Sequence, residues 1–176
     1  MPERATVASW PETFEPDALV SRLAAGGVDF VVVGGIAVIA QGYVRLTRDL
    51  DIVYERRRGN LDRLGEVLVE LHARLRGGRE DVPFVPDGRA LRSTEILTLT
   101  TDHGWLDLLA VPAGAPPYAD LRAGADMIEI ANVTLAVASI GDLLAMKRAA
   151  NRPRDIADIE ALEAIARLRR PVKARR

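Results

Sequence analysis

An α+β fold, a mixed β-sheet flanked by helices and followed by a C-terminal helical hairpin, is predicted by three observations on this sequence. Short β-branched runs bounded by glycine alternate with amphipathic stretches between residues 16 and 76. Two further pairs of strand-like runs are each joined by a turn signal, at Asp102-His103-Gly104 and at Ala131-Asn132. From Ser139 onward only helical periodicity remains. The order therefore predicts a core over residues 1–138 and a helical module over 139–176 that packs on it and ends in a basic tail.

Each element has a local cause. Residues 16–25 read as a helix, because Pro16 suits a first turn, Leu19, Val20 and Leu23 share a face, and Gly26-Gly27 stop it. Residues 29–33 are a buried strand, and Gly34-Gly35 turn the chain into a short helix over 36–41 that ends at Gly42. Residues 49–54 form a second strand. The longest periodic stretch, 60–76, predicts a helix capped by Asn60, with Leu61, Leu64, Val67, Leu68, Leu71 and Leu75 as its stripe and Gly77-Gly78 as its end. A polar, proline-containing loop follows over 79–90. Strands are expected at 94–101, 105–111, 127–130 and 133–136, and 112–117 breaks the pattern with its prolines. Ser139 with Asp142 opens a helix through Lys147 to Ala150, Arg152-Pro153 interrupts it, and a last helix covers 154–168.

Composition narrows the chemistry. Of 176 residues, 48% are hydrophobic and 28% charged, which is a folding composition. The 24 Lys+Arg and 25 Asp+Glu leave a net charge of -1, so the chain is no wholly basic nucleic-acid coat. With no cysteine there is no disulfide scaffold, thiolate zinc site or cysteine nucleophile, and two histidines argue against a multi-histidine metal centre. Carboxylates, hydroxyls, amides, Lys and Arg must then carry any catalysis. The longest apolar run, 30–40, falls short of the roughly 20 residues a membrane span needs. Glu3 and Arg4, with no apolar run close behind Met1, predict no signal peptide, and a cytoplasmic protein is the expectation.

The informative segment runs from Val33 to Ile52. Side chains alternate along a strand, so Asp49 and Asp51 share a face while Leu50 and Ile52 turn into the core. Two carboxylates about 7 Å apart on one face repel each other, and a divalent cation relieves that repulsion. Mg²⁺ characteristically takes one or two carboxylates together with substrate phosphates. Asp107, a lone acid in the otherwise apolar Trp105-Leu106-Asp107-Leu108-Leu109, is the candidate third ligand of a two-metal site. Gly34-Gly35 end an apolar strand and open a helix, where backbone N–H groups can bind phosphate oxygens.

Together these residues resemble the nucleotidyltransferases of the DNA polymerase β superfamily, whose signature is an apolar residue, Gly, Gly or Ser, a spacer of about this length, then Asp-x-Asp or Asp-x-Glu. The nearer likeness is to minimal forms represented by AbiEii-type toxins of type IV toxin–antitoxin systems. It is carried by Gly34-Gly35-Ile36-Ala37, by Gly42, Arg45, Thr47, Asp49 and Asp51, by Asp107, and by the tail from Lys147-Arg148 to Arg154-Asp155 and Asp158. The resemblance implies metal-dependent transfer of a nucleoside monophosphate from an NTP to a hydroxyl, with release of pyrophosphate. It implies that Asp49 and Asp51 hold two Mg²⁺ ions, that Asp107 shares the second and orients or deprotonates the attacking hydroxyl, that Gly34 and Gly35 admit the phosphates, and that Lys147 contacts them. An RNA acceptor such as the tRNA 3′ end and a cognate antitoxin protein are the implied partners. The resemblance leaves three alternatives: an antibiotic-modifying enzyme, a protein-modifying enzyme, and a non-catalytic nucleotide-binding or antitoxin-like module.

The remaining candidates are open between roles. Arg45, Thr47 and Arg48 precede the acidic strand and could touch phosphate or base, or be solvated loop residues. Asp155 and Asp158, spaced i, i+3, could fix Lys147 or Arg148 or favour a helix N-terminus. Arg56-Arg57-Arg58 and the basic run 169–176 would be the phosphate contacts if the acceptor is RNA. His72, His103, Trp10 and Trp105 read as structural.

Overall fold

A computed structural model describes residues 13–77 and 84–169. The chain opens with α1 (Pro16–Ala25), β1 (Phe30–Val33), α2 (Gly34–Ala40) and β2 (Asp49–Tyr54). Then come α3 (Arg58–Glu70), β3 (Arg74–Leu75), α4 (Gly88–Ser93), β4 (Ile96–Thr101) and β5 (Gly104–Leu109). It closes with α5 (Tyr118–Ala123), β6 (Asp126–Ile130), β7 (Val133–Val137), α6 (Ile140–Ala150), a 3₁₀ turn at Pro153–Asp155, and α7 (Ile156–Arg169).

The seven strands form one mixed sheet in the order β3-β4-β5-β2-β1-β7-β6. β1 pairs antiparallel with β2 but parallel with β7, and β2 pairs parallel with β5. β1 is buried along its whole length, as its unbroken Phe-Val-Val-Val demands. In β5 burial alternates: Leu106 and Leu108 are buried, while Trp105, Asp107 and Leu109 stay half-exposed. β4 and the start of β2 follow the same alternation, so one face of this half of the sheet is core and the other is open. The predicted hairpins form, β4 with β5 and β6 with β7. The second turns through Ala131 (φ 53°) and Asn132 (φ 61°), the left-handed pair a two-residue hairpin requires. Ser139 accepts the Asp142 N–H and caps α6 as expected. α6 packs against α2 and α7, and Leu143 and Leu162 join the core.

Two expectations are corrected. The helix predicted over 60–76 ends at Glu70: Leu71 caps it, His72 turns left-handed (φ 48°), and Arg74-Leu75 leave as an edge strand on β4. Leu75 continues the stripe in sequence, yet it lies 40% exposed on that edge. Asn60 is not the cap, because the helix starts two residues earlier with Arg57 at its N-cap. Asn60 is instead buried, accepting the Asp29 N–H and donating to the Asp29 and Glu55 carbonyls. Two short helices have no apolar period long enough to read. α4 starts inside the expected loop, with Asp87 accepting the Ala90 N–H, and α5 follows the prolines of 112–117.

Candidate active site

Strand register builds the site. Parallel pairing of β2 with β5 sets Asp51 beside Asp107 and Asp49 beside Trp105. All three carboxylates project from the open face, and they offer ligand oxygens within 4.8 Å of one another. Antiparallel pairing of β1 with β2 sets Val33 opposite Asp51, which brings the Gly34-Gly35 turn against the same carboxylate. Gly34 is left-handed (φ 62°), and a Cβ there would lie 1.9 Å from Asp51 Oδ2; at Gly35 it would lie 2.3 Å from Thr47 Oγ1. The glycines are needed for this approach, and the Gly35 N–H donates to Asp51 itself.

The electrostatics are those of acids crowded without enough positive charge. Burial, with Asp49 and Asp107 beside it, pushes Asp51 up to about 7. Burial also raises Asp107 to about 6, against the pull of Arg76 and with the push of Asp49. The Thr47 hydroxyl lies 3.3 Å from Asp49 Oδ1. Three crowded carboxylates on rigid strands suit a divalent cation with oxygen ligands, which would offset their mutual repulsion.

These acids line a cleft of about 690 Å³. Arg45, Arg48, Lys147, Arg152 and Arg154 form a cationic wall, and Leu109, Pro112, Ala113, Leu143 and Met146 form an apolar one. The cationic wall rests on a buried ion network. Lys147 Nζ lies 3.0 Å from Asp155 and 2.7 Å from Asp158, Arg45 Nε lies 2.9 Å from Asp158, and Arg152 Nε lies 2.7 Å from Asp155. Asp155 thus has both oxygens engaged. Burial opposes its charge, but hydrogen bonds from Arg152 and Lys147 outweigh that and hold the carboxyl below its ordinary range. Of the two roles open to Asp155 and Asp158, the structure shows them fixing Lys147; Arg148 pairs with Glu163 instead.

Residues 17–175 match the family described as the nucleotidyl transferase AbiEii toxin of type IV toxin–antitoxin systems. The chain belongs to the AbiEii nucleotidyltransferase family. As a member of that family it is an NTP-dependent nucleotidyltransferase, and the acidic triad is its candidate metal site. No curated protein matches it in sequence. Among solved structures it is similar to the lincosamide antibiotic adenylyltransferase LnuA with lincomycin bound, at TM-score 0.56 and 15% identity over 87% of this chain and 98% of that one. It is also similar to the antibiotic-resistance factor ANT(2'')-Ia in solution, at TM-score 0.55 and 18% identity over 87% and 83%. A third likeness is to an antigenic nucleotidyltransferase-like protein from Paracoccidioides brasiliensis, at TM-score 0.53 and 17% identity over 90% and 76%. At these identities the likeness is one of fold.

In this AbiEii family member, the residues read from the sequence as a site come together: Gly34, Gly35, Arg45, Thr47, Arg48, Asp49, Asp51, Asp107, Lys147 and Asp155 all line the one cleft. Sequence reading missed Arg76, hidden as the end of a helix that does not extend so far, and it missed Arg152 and Arg154 as cleft residues. For Arg152 the sequence signal was its place beside Pro153, where a helix must break, and Arg154 stood in the tail that carries the resemblance without being read as a cleft residue. The His72 and His103 rings hydrogen-bond to the Asp102 and Glu15 carboxylates. Trp10 and the basic run 170–176 lie outside the described residues, and no helix among those described is long and apolar enough to cross a membrane.

Proposed function

We propose that this cytoplasmic enzyme moves a nucleoside monophosphate from an NTP to a hydroxyl of tRNA, releasing pyrophosphate, as a toxin-type enzyme with a cognate antitoxin. The observation that carries the reading is the convergence of Asp49, Asp51 and Asp107 within 4.8 Å beside the Gly34-Gly35 turn, in a chain of the AbiEii family. The three carboxylates fit Mg²⁺, two ions of which they would hold. When bound there, Mg²⁺ would supply positive charge to offset that growing on the leaving group.

The protein's own groups do the rest. Lys147 has three N–H donors and two carboxylate partners, so one donor remains for a phosphate oxygen. Arg45, Arg48, Arg152 and Arg154 line the same cleft and would offer guanidinium donors to the triphosphate. Asp107 beside the other two carboxylates would orient the acceptor hydroxyl and take its proton. The hydroxyl oxygen bonds to the α-phosphorus as the bond from that phosphorus to the bridging oxygen breaks, and pyrophosphate leaves with the electron pair.

The test is incubation of the protein with Mg²⁺, each α-labelled NTP in turn and total tRNA, beside an Asp49→Ala control. Label in tRNA from the intact enzyme alone is the expected result, and it also reads the base preference. Pyrophosphate release without labelled tRNA would move the acceptor to a small molecule or a protein. NTP binding with no turnover on any acceptor would leave a binding module.

A further inference from the structure

The geometry points to Arg76 as a positioning residue of this active site: held over the ring of Trp105, it fixes the carboxylate of Asp107 for the metal. The inference rests on reading Asp107 as a metal ligand. Arg76 follows the edge strand β3, and its N–H donates to Thr98 O at 2.9 Å, which pins its backbone beside β4. Thr98 is the register partner of Asp107, and Thr100 that of Trp105. From that anchor the side chain crosses β4 to the open face of β5. There Nη2 donates to Asp107 Oδ1, and the guanidinium carbon sits 4.3 Å from the centre of the Trp105 ring.

Three features separate this contact from an ordinary ion pair. Among the described residues, Asp107 is the member of the acidic triad that hydrogen-bonds to an arginine side chain, and both side chains are mostly buried, at 14% and 18% exposure. Arg76 Nη2 reaches Leu99 O only at 3.5 Å, and Nε is buried with no hydrogen-bond partner among the described residues, so Asp107 is the close polar partner of the guanidinium. Stacking on the indole fixes the guanidinium plane. With Oδ1 committed to Arg76, the other oxygen of Asp107 is the one left to ligate a cation. An aspartate's terminal torsion is broad, so without the clamp the carboxylate turns and the triad loses its geometry.

The experiment measures Mg²⁺ uptake by calorimetry, with and without a non-hydrolysable NTP, for the full-length protein and for Arg76→Ala. In parallel it follows Trp105 emission in a Trp10→Phe background. Loss of the clamp is expected to raise the half-saturating Mg²⁺ concentration about 10–100-fold. It should also lower kcat while leaving the circular dichroism unchanged. Arg76→Lys, which keeps the charge but not the plane, should recover only part of the affinity. Trp105 emission should change saturably with Mg²⁺ in the presence of Arg76, and only at the higher concentrations without it. If Arg76→Ala does not fold, Trp105→Leu removes the stack, leaves the ion pair, and should shift the calorimetric midpoint in the same direction. Equal Mg²⁺ midpoints with and without the clamp overturn the inference and leave the metal site standing. No Mg²⁺ uptake by the intact protein overturns both. Neither readout needs an acceptor or turnover, so failure of tRNA labelling is a separate result.

Discussion

Four aspartates line one cleft and a fifth, Asp158, braces two of its cations; the five fall in two groups whose surroundings are opposite. Asp155 and Asp158 are almost wholly buried, yet each is met by two cations, Lys147 with Arg152 for the first and Lys147 with Arg45 for the second. Asp49, Asp51 and Asp107 are less buried, but they crowd one another, and burial with mutual repulsion drives Asp51 to about 7 and Asp107 to about 6. The same residue type therefore serves two ends. Acids matched by cations within the chain hold the cationic lining in place, and acids left short of positive charge are suited to a cation from outside.

The comparison can be broken most sharply at Asp49. Asp49→Ala should lower nucleotidyl transfer by about 1,000-fold or more, roughly 4 kcal/mol of transition-state stabilisation. Its metal-free thermal midpoint near pH 7.5 should not fall, since one of three repelling charges is gone. A large loss of stability would mean that the triad is part of the frame.

Lys147→Met tests the other group. It leaves two buried carboxylates short of a partner and should cost about 3–5 kcal/mol in urea unfolding. A change under about 1 kcal/mol would mean that Arg45 and Arg152 suffice.

Proton linkage should set the groups apart by sign. Asp51 and Asp107 are raised, so between about pH 4 and 7 the folded, metal-free protein binds more protons than the unfolded chain. Their contribution is then most favourable at the acid end and is lost as pH rises through about 6 and 7. Asp155 is lowered, so its contribution is present above the ordinary carboxylate range and lost only as pH falls below it. Thermal midpoints in EDTA, wild type minus Asp51→Asn, should decline from pH 4 to 7, and Mg²⁺ should flatten the decline. A rising difference would contradict the assignment.

The smallest effect belongs to the exposed Arg148–Glu163 pair, where Arg148→Ala should change unfolding by about 0.5 kcal/mol or less.

Legibility in the sequence follows the same division. Asp49 and Asp51 could be read because period-two alternation places both on one face, and Asp107 because an acid stood alone between leucines. Six of the sheet's seven strands, both hairpins and the Ser139 cap were legible because each has a local cause. The end of α3 was not, since Leu75 keeps the helical period while the partner that draws Arg74-Leu75 into a strand lies some 25 residues on, in β4. For the same reason Arg76 was invisible as a neighbour of Asp107. The double pairing of Lys147 was only half visible, because i, i+3 spacing names two acids without saying which cation they meet.

The parallel pairing of β2 with β5 carries a consequence in time. Asp51 and Asp107 are register partners although 56 positions separate them along the chain, and parallel strands cannot be joined by a tight turn. Local elements, the helices and the two hairpins, can assemble before that register closes, whereas long-range pairing is slow. Asp49 and Asp51 share one strand, but Asp107 joins them only when β5 pairs with β2, so the acidic triad requires that long-range register. A nascent or half-folded copy can hold most of its helices and still be chemically silent, and the enzyme acquires its activity only when its topology is complete.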